Sequence, residues 1–165
     1  MRICRNVLVG GLVVLFAGLN TYAQKPKAGL YEVTNRMIWQ QSPFPEGTQP
    51  APGSVGPHTA QACITQAQID KYNGPKPEAH GECQVSNIQK RKDGMTAELA
   101  CNGRMRGRGT VRSIWTDSGH SKSKVHFTGE MQVGQNTKDV EWTLESESAY
   151  KGPNCGDVKP AGKEQ

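Results

Sequence analysis

Residues 95–144 read MTAELACNGRMRGRGTVRSIWTDSGHSKSKVHFTGEMQVGQNTKDVEWTL, and the phase of their side chains decides the fold. Every second residue falls on one apolar side: Met95, Ala97, Leu99 and Cys101, then Met105, Gly107, Gly109 and Val111. Val125, Phe127, Gly129, Met131 and Val133 continue that side, followed by Val140, Trp142 and Leu144. Thr96, Glu98, Arg106, Arg108, Lys124, His126, Glu130, Glu141 and Glu145 fill the opposite phase. An alternation of period two belongs to strands with one dry and one wet face. Asn102-Gly103, Asp117-Ser118-Gly119 and Gly134-Gln135-Asn136 interrupt it as turns. The stretch is expected to form an antiparallel sheet.

Upstream, Lys92-Asp93-Gly94 is a hairpin signal that joins a strand beginning near Cys83 to the one beginning at Met95. Closing Arg91 against Met95 makes Cys83 and Cys101 diagonal neighbours on one face. Leu30 to Gln40 reads as the first strand, with Tyr31, Val33, Met37 and Trp39 on one side. Asn35 breaks that side and Ile38 the other, which predicts a bulge. Residues 41–58 form an excursion with Pro43, Pro45, Pro50, Pro52 and Pro57, too poor in ladder donors to be a strand and read as inert. Thr65 then opens a short helix, with Gln68 completing a capping box and Ile64 with Ile69 a hydrophobic staple. Gly74 and Pro75 stop it. The total is six strands and one helix.

The chain has 165 residues, five cysteines and a formal charge of +5. Arg2 and Arg5 precede an uncharged apolar run from Val7 to Leu19, and Ala23 precedes Gln24: the form of a cleavable export signal over residues 1–23. An uncleaved anchor is the rival, but the run falls short of the roughly 20 apolar residues a span needs. After cleavage no transmembrane segment is expected, and residues 24–150 form one β domain followed by a tail, 151–165. Loss of Arg2 and Arg5 lowers the charge to +3. That modest excess does not by itself imply a polyanionic partner.

Cys63, Cys83, Cys101 and Cys155 remain, an even set that reads as two disulfides in an exported protein. Cys83–Cys101 across the hairpin and Cys63–Cys155, fastening helix to tail, form the preferred pairing. Cys63–Cys83 with Cys101–Cys155 is the competitor. A metal site is not expected, since no pair has C-x₂-C spacing and His58, His80, His120 and His126 are in no ligand pattern. No cofactor is expected.

A helix of two turns cannot cover six strands. The apolar face is therefore expected to curl strongly into a half-barrel or barrel, helped by Gly107, Gly109 and Gly129 on the inward side.

Several motifs in order carry a resemblance. Gly29-Leu30-Tyr31-Glu32-Val33-Thr34, Cys63-Ile64-Thr65 and Gly107-Arg108-Gly109-Thr110 stand near the start and middle of the mature chain. Thr128-Gly129-Glu130-Met131 and Cys155-Gly156-Asp157-Val158-Lys159-Pro160 follow. Together they resemble the bacterial domain-of-unknown-function family 3617 over essentially the whole mature chain. The resemblance implies a small exported protein and carries no catalytic residue over.

Three classes of function follow. The first is a periplasmic or secreted, non-catalytic protein holding an apolar or amphipathic small molecule on the inner sheet face, by Trp39, Met105, Trp115, Phe127, Met131 and Trp142. Inward methionines also fill irregular cores. The second is an envelope interaction protein that uses Arg104, Arg106, Arg108 and Arg112, which share one strand face, against an anionic surface or a protein partner. A solvated face with arginines paired to Glu98 or Glu130 is the plainer reading. Nucleic acid is not expected, because no aromatic residues interleave with the arginines. The third, a hydrolase, is not expected: Asp117, Ser118 and His120 share a turn, and adjacency in sequence makes no triad.

Overall fold

The computed structural model describes residues 25–45, 56–79 and 81–160. The expected signal, 1–23, and most of the proline-rich excursion lie outside the described residues. Seven strands and one helix follow in order: β1 (Gly29–Gln41), β2 (His58–Ile64), α1 (Gln66–Tyr72), β3 (Cys83–Arg91), β4 (Gly94–Asn102), β5 (Met105–Trp115), β6 (His120–Val133) and β7 (Asn136–Gly152). All pairings are antiparallel, in the order β2-β1-β7-β6-β5-β4-β3.

Two expectations are corrected. The strand count is seven, not six, because His58–Ile64 pairs with β1 from Gly29↔Ile64 to Asn35↔His58. Its inward phase before Ile64 carries only His58, Ala60 and Ala62, so no strong apolar alternation marks it; main-chain pairing makes it a strand. Nor does the sheet curl strongly or close: β2 and β3 stand at opposite ends of the strand order and do not pair with each other. The inward glycines serve close approach instead. A Cβ on Gly129 would lie 2.0 Å from the Arg106 carbonyl oxygen, and one on Gly107 would lie 2.8 Å from the Phe127 ring.

Local signals formed as their chemistry dictates. The Thr65 hydroxyl accepts from the Gln68 amide at 3.2 Å, and Gln68 Oε1 accepts from the Thr65 amide at 2.9 Å, closing the capping box. The helix ends one residue earlier than Gly74, at Asn73, which takes the left-handed conformation with φ 57°. Cys83–Cys101 and Cys63–Cys155 are both bonded, the preferred pairing. The two hairpin cysteines are directly opposite rather than diagonal. The turn has two residues, with Arg91 facing Gly94, and a register shift between Ser86 and Gln89 moves the pairing by one more. Asn87 carries φ 50° within that shift. The expected bulge at Asn35 is absent: β1 stays in register with β7 from Tyr31 to Trp39 and shifts at Leu30/Tyr31 and Trp39/Gln41.

The inner face holds two apolar clusters. The larger comprises Ala97, Leu99, Cys101, Val111, Phe127, Val140 and Trp142, with Met37, Trp39, Met105, Met131 and Leu144 packed against it. Phe127 and Trp142 stack at 5.2 Å between centroids, an aromatic contact contributing about 0.5–1.5 kcal/mol beyond area burial. The smaller cluster joins Tyr31, Ile64, Ile69 and Trp115, with Tyr31 edge-on to Trp115 at 5.7 Å. Tyr31 is fully buried and its hydroxyl donates to the Lys27 carbonyl at 2.6 Å.

Gly129→Ala should destabilise the protein by about 1–3 kcal/mol in denaturant unfolding, because backbone rather than a movable side chain occupies the added methyl's place. Burial pushes the Tyr31 phenol from 10.0 up to about 12. The folded state therefore keeps its proton where the unfolded chain ionises, so this contribution is full below pH 10.0 and lost as the pH rises towards about 12. Tyr31→Phe should flatten that alkaline decline in thermal unfolding while removing about 1 kcal/mol at neutral pH with the lost hydrogen bond.

Candidate functional site

Between the two apolar clusters the inner face turns polar. Strand register sets Ser113 beside Ser123, Ser123 beside Ser146, and Ser146 beside Asn35, one row across β5, β6, β7 and β1. The next inward row places Ser121 beside Ser148, flanked by Trp115 and Val33. Period-two phase forces these side chains onto the same face as Phe127 and Trp142. The Asn35 that breaks the apolar pattern is thus part of a belt of six small polar side chains.

A cavity of about 340 Å³ lies over this belt. Val33, Ala62, Ile64, Met95, Val111 and Val125 form its apolar walls, and Pro75, Lys76, Pro77 and Glu78 of the α1–β3 connection complete its lining. Within the belt, the Ser121 and Ser148 hydroxyls bond each other at 2.6 Å. The hydroxyls of Ser113, Ser123 and Ser146 and the Asn35 amide have no hydrogen-bond partner among the described residues. The floor therefore offers neutral donors and acceptors; among the described lining residues only Lys76 and Glu78 carry charge. Asn73 ties this connection down: its Nδ2 donates to the Arg91 carbonyl at 3.0 Å, and its own carbonyl accepts from Trp115 Nε1 at 2.6 Å.

The six residues expected to hold a ligand all lie on the inner face but do not line this cavity. Phe127 and Trp142 are buried in the larger cluster, Trp39, Met105 and Met131 pack on it, and Trp115 belongs to the smaller one. The five serines and Asn35 were missed. Their signal was present: Ser113, Ser121, Ser123, Ser146 and Ser148 continue the inward phase of their strands beyond the apolar residues.

Arg106, Arg108 and Arg112 share the outer face of β5, with Arg104 just before it, and all four are exposed. Neither expected carboxylate pairs with them: Glu98 accepts from Asn87 at 2.8 Å, and Glu130, opposite Arg106 in register, forms no ion pair among the described residues. The cations of β6 are paired, Lys122 with Glu147 at 2.8 Å and Lys124 with Glu145 at 3.6 Å. The Lys122 hydrogen bond and charge lower the Glu147 carboxyl and raise Lys122 in return.

Both histidines with carboxylate neighbours lie away from the cavity. Asp117 holds His120 Nδ1 at 2.8 Å but also accepts from the Gly119 and His120 amides, so it caps the β5–β6 turn. These hydrogen bonds lower its carboxyl below the ordinary range. His126 Nε2 lies 3.5 Å from Glu141 on the outer face.

Fold and cavity together define a class: a disulfide-stapled antiparallel β domain with one short helix and, on one face, a cleft at the lower end of small-molecule pocket sizes. The chain belongs to the DUF3617 family, whose model, "Protein of unknown function (DUF3617)", matches residues 26–155. No curated protein and no solved structure matches it.

Asn73→Ala should destabilise by about 1–3 kcal/mol in denaturant unfolding, since it removes a buried amide donor and a residue suited to left-handed backbone. Asn73→Gly should lose less, keeping the backbone and forfeiting only the amide.

Proposed function

We propose that this is an exported, non-catalytic binding protein that holds a small amphipathic molecule in the serine-floored cavity. The observation that carries this reading is the floor: four polar groups without partners among the described residues, set between two apolar clusters. A molecule with hydroxyl, carbonyl or amide groups on one side and hydrocarbon on the other matches that division. Two disulfides fit an oxidising compartment, the periplasm or the extracellular space, and the basic and apolar pattern of residues 1–23 fits delivery there. No helix among the described residues is long and apolar enough to cross a membrane.

A second reading is favoured by the β5 arginines, which form no ion pair among the described residues: an envelope interaction protein that meets an anionic surface or a protein partner through that outer face.

Native mass spectrometry of protein purified from its own envelope should show a retained small mass. The fluorescent amphiphile N-phenyl-1-naphthylamine should bind, and Ser123→Val with Ser146→Val should weaken it about tenfold, the loss of one or two hydrogen bonds. Absence of added mass together with unchanged probe affinity in the double variant overturns the cavity reading.

A further inference from the structure

The outer face segregates charge by strand. β7 presents Asp139, Glu141, Glu145 and Glu147, with Lys151 at its end; β6 presents Lys122, Lys124 and His126, with Glu130 opposite Arg106; β5 presents Arg106, Arg108 and Arg112. The cations of β6 are taken up by the carboxylates of β7, at 2.8 Å for Lys122–Glu147, 3.6 Å for Lys124–Glu145 and 3.5 Å for His126–Glu141. The arginines of β5 are left over. No ion pair engages them among the described residues, and strand rise sets the backbone of Arg106 about 7 Å from that of Arg108, and Arg108 about 14 Å from Arg112.

A groove of about 280 Å³ opens at one end of this stripe, lined by Arg112, Ile114, Lys122, Lys124, Glu145 and Glu147. Register puts Arg112 directly beside Lys124 and Ile114 beside Lys122. Three cations thus surround one depression, and each of its two carboxylates is already held by a lysine. Arg112 supplies the surplus charge and the planar fork of donors that suits a tetrahedral oxyanion.

We infer that this groove seats a phosphoryl group, with Arg112 and Lys124 as its direct contacts and Lys122 adding charge, while Arg108 and Arg106 extend the positive field along β5. The inference rests on the second reading above and is independent of the cavity. The phosphoryl group could belong to a lipid headgroup or to a soluble phosphate ester, and the test separates these sources.

The full chain, with both disulfides formed, is titrated with inorganic phosphate at constant ionic strength while backbone amide resonances are followed. It is also sedimented with phosphatidylglycerol vesicles and, separately, with phosphatidylcholine vesicles. Saturable shifts centred on residues 112, 122 and 124 are expected. Arg112→Gln with Lys124→Gln should weaken phosphate binding by about tenfold or more, the loss of charge-assisted contacts. Lys138→Gln, exposed at the far end of β7 and outside the groove, should leave it within about twofold, as a distant charge is largely screened. Sedimentation with phosphatidylglycerol alone, lost in the double variant, supports the site and assigns the headgroup as source. Phosphate binding without vesicle binding supports the site and assigns a soluble ester. Vesicle binding that the double variant leaves intact overturns the phosphoryl site while the envelope reading stands. Binding of neither phosphate nor vesicles overturns both. Substitutions at exposed positions change stability little, and unchanged thermal unfolding of the double variant checks this directly.

Discussion

A seven-residue helix is about 10 Å long, whereas seven paired strands span about 29 Å across the sheet. That mismatch between a large apolar face and a small cover governs the rest of the structure. Where α1 reaches, its Ile69 completes a cluster with Tyr31, Ile64 and Trp115. Beyond it the sheet covers itself: the Phe127 ring, stacked on Trp142, closes on the space that Gly107 leaves by lacking a Cβ. Between these two solutions neither kind of cover is available, and there the inward residues are serines and Asn35. The cavity is the gap between two ways of hiding an apolar face.

Covalent and hydrogen-bonded anchors hold the cover in place. Cys63, two residues before the N-cap Thr65, is bonded to Cys155, so the end of β2 and the chain beyond β7 are fastened together. A parallel bridge between Cys63 and Pro160 continues that contact along the β2 edge. At the other end of the helix, Asn73 receives Trp115 and grips the β3–β4 turn. One helix is thereby tied to elements at both ends of the sheet order, which positions residues 75–78 over the serine belt.

The outer face obeys a different logic. With no core to fill, its side chains are sorted by charge, and the sorting is unequal. Exposed lysine–glutamate pairs each contribute little stability, so the pairing of β6 with β7 matters more for what it leaves over: a row of arginines on β5 beside a groove. Two faces of one sheet thus offer unlike chemistry, neutral and recessed on one side, cationic and open on the other.

Much of this was legible in residues alone. Antiparallel strands, the capping box at Thr65, the even cysteine set and the inward methionines follow from local rules: side-chain phase, cap chemistry and turn residues act within a few positions. The preferred disulfides came from hairpin register for Cys83 and Cys101 and from proximity to helix and tail for Cys63 and Cys155. What sequence phase could not reveal is how far each inward position is covered. Gly107 reads the same whether it bends a sheet into a barrel or makes room for a ring in an open one, and only the neighbouring strands decide which. Likewise β2 has no apolar signature because its strand state depends on the main chain of β1. The serine belt required the registers of four strands at once, with Ser113, Ser123, Ser146 and Asn35 drawn from positions far apart in the chain. Local chemistry determined the elements; long-range pairing, which no short window contains, decided the open sheet, the cavity and which cations of the outer face are matched by carboxylates.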